Sequence, residues 1–267
     1  MLLLVQGNDA SAYETNPWLR RVPGIRYLMT RSLVSASRIL CVNKGLVEWV
    51  ERERAKAAPV PIEVMPSGVA DLFFDAEPVA VAEPYVLFFG GLAPWQGVDY
   101  MLEAHRSPEW PAGLTLVVIG DGVKADAVKA AEGPALKWLG PKKPAELARY
   151  VAGAMVTLCP KSDTDSMAKT TTPFKILESV AAGVPVIATD IPAQVDMLEE
   201  GGYGVLVDVH NPEDLARAVA RVATDPIHRD ELAARAREFS PRCRWTYAVP
   251  QLSATIAALQ EEIRADH

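Results

Sequence analysis

Beyond Pro84, short apolar runs alternate with amphipathic segments, and this alternation constrains the fold more than any other feature of the 267 residues. The runs fall at 85–89, 114–119, 136–139, 155–159, 185–188 and 204–207. Between and after them lie segments with helical spacing at 98–105, 123–131, 144–152, 173–182, 193–199, 211–223 and 226–239. Strands this apolar have no face for water, so they predict a parallel sheet covered by helices on both sides. Right-handed crossovers then give an α/β, doubly wound, Rossmann-like domain. Ligands of such sheets bind beyond the carboxyl ends of the strands. The loops expected there contain Gly90-Gly91, Gly120-Asp121-Gly122, Gly140-Pro141-Lys142 and residues 160–172.

One of these loops opens a helix with readable chemistry. Thr170, Thr171 and Thr172 offer N-cap oxygens, Pro173 suits the first helical position, and Gly183 ends the helix before the strand at 185–188. Free N–H groups from Phe174 and Lys175, the positive end of the helix dipole and the Lys175 charge together predict an anion site. Glu178 lies about a turn further on and is placed to accept from a hydroxyl. The bland alternative is a capped core helix with Lys175 and Glu178 as a solvated pair. Phosphate beside a polyol points to a nucleotide sugar.

Composition removes other classes. A formal charge of −7 argues against general nucleic-acid binding. Cys41, Cys159 and Cys243 are few and far apart, so they are expected as reduced core thiols of a cytoplasmic protein. His105, His210, His228 and His267 lack ligand spacing and are expected at the surface. There is no Walker loop, nucleophile elbow or Cys/His metal pattern, so neither metal nor cofactor is expected. The opening Met1-Leu2-Leu3-Leu4-Val5 is too short, and lacks the basic flank, for a signal peptide; no apolar run is long enough to span a bilayer. Asp163, Asp165 and Lys161 read as solvated loop residues or as a rim on the acceptor side.

Residues 1–77 differ from the rest. Strands are expected at 2–6, 37–42 and 62–65 and a helix at 44–56, too little for an independent core of ordinary size. Residues 78–84 read as a linker, 85–242 as the main domain and 243–267 as a closing helix. Arg20, Arg21, Arg26, Arg31, Arg38, Lys44, Arg52, Arg54 and Lys56 make the 18–56 stretch basic, with Trp18, Tyr27 and Leu28 interleaved. This is either a solvated amphipathic surface or a contact with an anionic membrane presenting a lipid-linked acceptor.

Several spaced motifs carry a family resemblance: Pro66-Ser67-Gly68-Val69-Ala70, Phe88-Phe89-Gly90-Gly91-Leu92, Gln96-Gly97-Val98-Asp99, Val118-Ile119-Gly120-Asp121-Gly122 and Glu178 through Val186. Over residues 35–260 the chain resembles the nucleotide-binding half of retaining GT-B glycosyltransferases of family 4, the glycosyltransferase group 1 domain. The resemblance implies binding of a nucleoside diphosphate sugar and transfer with retention, the nucleotide sugar being a substrate rather than a cofactor. Gly90, Gly91, Gln96, Gly120, Asp121, Gly140, Pro141, Lys142 and the stretch from Thr171 to Lys175 become donor-binding candidates. Lys175, Glu178 and Thr170 become the catalytic ones; Glu178 matches the family's ribose ligand, and Thr170 stands where an acid normally meets the transferred sugar. Gly91 and Gln96 occupy the positions of the family's phosphate-loop Arg and Lys, and Lys175 is placed to replace their charge. The resemblance also implies that most of an N-terminal acceptor domain is missing. Two alternatives stay open: a small-molecule or lipid-linked acceptor used by an active chain or homo-oligomer, and a degenerate or non-autonomous donor-binding subunit that needs a partner chain.

Overall fold

The chain begins with a small parallel sheet in the order β1-β2-β3, made of β1 (Leu2–Val5), β2 (Arg38–Cys41) and β3 (Ile62–Val64). The computed structural model describes residues 1–8, 13, 16–65, 67–81, 83–163 and 172–265. Helices α1 (Ile25–Ser35) and α2 (Lys44–Glu53) connect these strands. Asn43 caps α2 by accepting from the Leu46 N–H at 2.9 Å. Val5, Leu33, Ala36, Ile39, Cys41, Leu46 and Val50 bury a core of their own, small as expected. Arg54 corrects the expectation of a wholly solvated basic surface. It is buried and donates to the Leu33 and Ala58 carbonyls, tying the ends of both helices together. Trp18, Tyr27 and Leu28 are exposed beside the exposed Arg20, Arg21, Arg26 and Arg31.

The larger sheet contains β4 (Tyr85–Phe89), β5 (Thr115–Ile119), β6 (Leu136–Trp138), β7 (Val156–Cys159), β8 (Val186–Thr189) and β9 (Gly204–Val207). All its pairings are parallel, in the order β6-β5-β4-β7-β8-β9. Its strands show why the apolar runs are continuous. Val86 and Phe88 face one core with α3 (Val98–Arg106), α4 (Ala125–Ala130) and α8 (Pro212–Thr224). Tyr85, Leu87 and Phe89 face the other, with α5 (Pro144–Gly153), α6 (Phe174–Ala181) and α7 (Pro192–Gly201). Each large apolar side chain fully buried this way contributes about 1.5–3 kcal/mol. Helix α9 (Pro226–Phe239) follows, and α10 (Trp245–Ala265) runs back to the small sheet. Thr255 Oγ1 meets Glu63 Oε2 there at 3.3 Å, and Arg244 pairs with Asp71 at 2.9 Å while its guanidinium covers the Phe74 ring. Ahead of β4, the Val79 N–H donates to the Arg149 carbonyl on α5 at 3.1 Å.

Two further expectations are corrected. His105 and His228 are half-buried rather than superficial, and His105 Nε2 lies 3.0 Å from the Ala135 carbonyl with its ring edge-on to Trp110. Burial pushes the His105 pKa down. His267 and Asp165 lie outside the described residues. All three cysteines are free and buried. No helix among the described residues is long and apolar enough to cross a membrane.

Strand order reverses between β4 and β7, and the loops leaving those two strands press together. Gly97, at φ +73°, approaches Pro160 so closely that a Cβ would stand 1.5 Å from the Pro160 carbonyl oxygen. Gly97→Ala is therefore expected to cost more than about 2 kcal/mol. Gly113→Ala has a similar φ of +80° but open space around it, and is expected to cost about 1 kcal/mol. Urea unfolding of both variants measures the difference.

Candidate functional site

Helix α6 is held from within the sheet. Thr157 on β7 donates to Ser179 Oγ at 2.7 Å, and Ser179 donates to the Lys175 carbonyl at 2.6 Å. The helix stops where expected. Gly183 takes φ +71°, its N–H reaches the Val180 carbonyl and the Val184 N–H reaches Ser179, both at 2.9 Å. This paired closure is a Schellman motif.

The start of α6 differs from expectation. Pro173 is the N-cap residue rather than the first helical one, and no side chain caps it. Thr172 has a different partner: its Oγ1 donates to the Val42 carbonyl at 3.3 Å and accepts from Asn43 Nδ2 at 3.4 Å. The hydroxyl thus ties the loop to the small sheet and leaves the first N–H groups of α6, Phe174 and Lys175, unsatisfied by the helix. Thr170 and Thr171 lie outside the described residues.

A cavity of about 610 Å³ opens at the switch point. Gly90, Gly91, Gln96, Thr172, Pro173, Phe174, Lys175 and Glu178 all line it, together with Trp95 and Trp245. Gly90 adopts φ +110°, and a Cβ there would come within 3.0 Å of Lys175 Cε, so glycine makes room for the lysine. Lys175 is only 8% exposed. Its ammonium donates to Gln96 Oε1 and sits 4.8 Å from the centre of the Phe88 ring. Burial lowers its pKa to about 8, with Lys161 acting in the same direction and Cys159 and Glu178 opposing. Burial raises the half-buried Glu178 to about 7, against the pull of Lys175. The two are not a solvated surface pair.

Gly120, Asp121, Gly140, Pro141 and Lys142 do not line this cavity. Gly120 supports it from behind: a Cβ on Gly120 would stand 1.8 Å from the Gly90 carbonyl oxygen, and its N–H donates to the Gly140 carbonyl at 3.1 Å. Asp121 accepts from the Gly122 N–H at 2.8 Å, and Lys142 pairs with Glu146 at 3.1 Å.

One wall residue corrects the sequence reading. Lys161 is not a solvated loop residue; it is 3% exposed and lines the cavity. Its carbonyl accepts from Thr189 Oγ1 at 2.6 Å, and its ammonium lies 5.4 Å from the centre of the Trp95 ring. Burial lowers its pKa. The available signal was its position directly after the β7 run, at the predicted mouth of the sheet. Asp163 instead meets His210, with 3.3 Å between Oδ2 and Nε2.

This arrangement is that of a GT-B protein: a doubly wound unit facing a second parallel unit, with a polar cleft at the switch point. The family model for glycosyl transferases group 1 matches residues 83–225, and the chain belongs to that family. A D-inositol 3-phosphate glycosyltransferase from Nocardioides is 26% identical over 96% of this chain and 60% of its own length. One from Acidothermus cellulolyticus is 28% identical over 85% and 54%. The chain thus spans little more than half the length of these relatives. Its fold is shared with sucrose-phosphate synthase from Thermosynechococcus elongatus, with a TM-score of 0.76 at 18% identity over 98% of this chain and 68% of that one. It is also shared with HepE from Anabaena in complex with UDP, with a TM-score of 0.75 at 16% identity over 96% and 72%.

The two shifted groups give a direct check. Removing the Lys175 charge in Lys175→Met takes away the one influence that lowers Glu178, so its carboxyl should titrate above about 7. Carbon-detected NMR of the glutamate side chains reads the shift.

Proposed function

We propose that this chain binds a nucleoside diphosphate sugar in the cleft and forms the donor side of a retaining glycosyltransferase. The observation that carries the reading is the wall formed by the start of α6, where unsatisfied N–H groups, the buried Lys175 ammonium and the Glu178 carboxylate meet one cavity. HepE, of the same fold, was solved with UDP. On this reading Lys175 and the N–H groups of Phe174 and Lys175 hold the diphosphate and stabilise its departure, where negative charge grows. Glu178 accepts from the ribose. Thr170 and Thr171, which precede the helix in sequence, are proposed to face the transferred sugar. Residues 120–121 and 140–142 are proposed to meet the base. The reaction asks for leaving-group electrostatics and acceptor positioning rather than a protein nucleophile.

We place the donor-binding unit at residues 85–242, with 1–77 as the acceptor-side unit, 78–84 as the link and 243–267 as the returning helix. Exposed aromatic and arginine side chains at residues 18–31 support a peripheral membrane location on the cytoplasmic side and a lipid-linked acceptor. The second reading is a donor-binding subunit that works with a partner chain. It is favoured by β1, which among the described residues pairs on one edge only. Light scattering alongside an assay separates the two, and a monomer that turns over a nucleotide sugar sinks the second.

Calorimetry with UDP-, GDP- and ADP-sugars tests the main reading; no binding of any of them would refute it. Glu178→Gln should weaken the bound nucleotide about tenfold, the loss of one charge-assisted hydrogen bond. Affinity should also fall as pH rises through about 8, because Lys175 in the free protein loses its proton there. Lys175→Met should bind weakly and lose that pH dependence.

A further inference from the structure

We infer that Gln96 is a positioning residue for Lys175: its neutral amide carbonyl fixes the ammonium for a diphosphate without cancelling its charge. The inference rests on the nucleotide-sugar reading above and adds to it the group that sets where the lysine stands and when it is charged.

A buried ammonium has three N–H donors and needs acceptors for them. Lys175 is 8% exposed, and the hydrogen bond to Gln96 Oε1 is the only one its ammonium makes among the described residues. An ammonium can only donate, so the amide must turn its oxygen toward it. The buried Phe88 ring lies on another side, 4.8 Å away at its centre, and Gly90 leaves room for the stem. Glu178, on the same helix, makes no ion pair with Lys175; its carboxyl acts through space, and less strongly than burial.

The backbone under Gln96 has little freedom. Pro94–Gln96 form a 3-10 turn, in which the Gln96 N–H donates to the Ala93 carbonyl at 3.0 Å and the Gly97 N–H to the Pro94 carbonyl at 3.1 Å. Gly97 is itself pressed against Pro160. The loop after β4 therefore delivers the amide to a defined place beside α6.

The kind of acceptor decides what the lysine can do. A carboxylate at position 96 would pair with the ammonium, raise its pKa and leave no net charge for a ligand. An apolar side chain would leave the ammonium without its acceptor, and Lys175 would shed its proton at a lower pH. The amide favours the charged form and adds no charge of its own. The other groups acting on Lys175 are Cys159 at the end of β7, Lys161 just beyond it and Glu178 on α6. Lys161 lowers its pKa, Cys159 and Glu178 raise it, and burial outweighs them, leaving it at about 8. None of the three hydrogen-bonds the ammonium. Gln96 is thus the contact that governs both its place and its proton.

NMR of the lysine ε groups follows the Lys175 titration in the free protein, its resonance identified by its loss in Lys175→Met. Calorimetry with UDP, GDP and ADP follows binding at neutral pH. In Gln96→Met the titration should fall about one pH unit below wild type, the equivalent of one hydrogen bond to a charged group, and the accepted diphosphate should bind about tenfold more weakly. In Gln96→Glu the titration should rise above wild type while diphosphate affinity falls. A merely structural role would weaken binding in both variants without moving the titration in opposite directions. A folded Gln96→Met protein whose Lys175 titrates as in wild type overturns the inference and leaves the donor-site reading intact. Gln96→Glu that binds the diphosphate like wild type does the same. Wild-type protein that binds no nucleoside diphosphate overturns both readings. Should Gln96→Met fail to fold, Gln96→Glu, of nearly the same size, decides alone: an unshifted titration refutes the positioning role.

Discussion

Everything at the cleft depends on the contact between the loops that leave β4 and β7. The Gly97 backbone lies against the Pro160 carbonyl with no room for a side chain. That contact brings residues 90–96 and 159–161, distant in sequence, into one cavity wall. It also sets the start of α3 at Val98, since Gly97 is its left-handed N-cap. Gly120 makes a second such contact with the Gly90 carbonyl. Backbone packed on backbone gives way less readily than a side chain, so the cavity has a firm floor although loops form its rim.

The larger sheet was legible because both of its faces are buried. Tyr85 through Phe89 alternate between two cores, which makes the run apolar without a break. Helix α9 was read at its observed bounds because Pro226 marks its start. The failures arise where a distant contact outranks a local preference. Thr172 carries a good capping oxygen, but Val42 and Asn43, far earlier in the chain, engage it first. Arg54 reads as a solvated charge in an amphipathic helix, yet the Leu33 and Ala58 carbonyls take its guanidinium inside. Lys161 failed for the same reason, since hydropathy counts a lysine in a polar loop as solvated. Tertiary partners, not periodicity, decide where a long cationic side chain ends.

The returning helix shows how the two units share the cleft. Gly68 lies against Trp245 so tightly that a Cβ would stand 2.6 Å from the Trp245 backbone nitrogen. Val69 N–H donates to the Cys243 carbonyl at 2.9 Å beside this contact. Trp245 itself reaches the cavity lining. The crossover at 67–69 and the end of the chain thus meet at the cavity edge, while Thr172 reaches the small sheet from the larger unit's side. Any movement of one unit against the other must pass through these contacts.

The buried pair on α6 carries the chemical argument. On an exposed helix, a lysine and a glutamate three residues apart gain little from each other. Here desolvation presses both toward neutrality, lowering Lys175 to about 8 and raising Glu178 to about 7. A site tuned only for stability would replace such a pair with apolar side chains of similar volume. Retaining it inside a cavity makes sense where an incoming ligand supplies the missing counter-charges. A phosphate oxygen favours the ammonium form, and a hydroxyl donated to the carboxylate favours its ionised form. On the proposed reading, one molecule carrying phosphate next to a polyol restores both groups together. The energetic cost of burying Lys175 and Glu178 in the cleft then becomes selectivity for a ligand that carries both functions at that spacing.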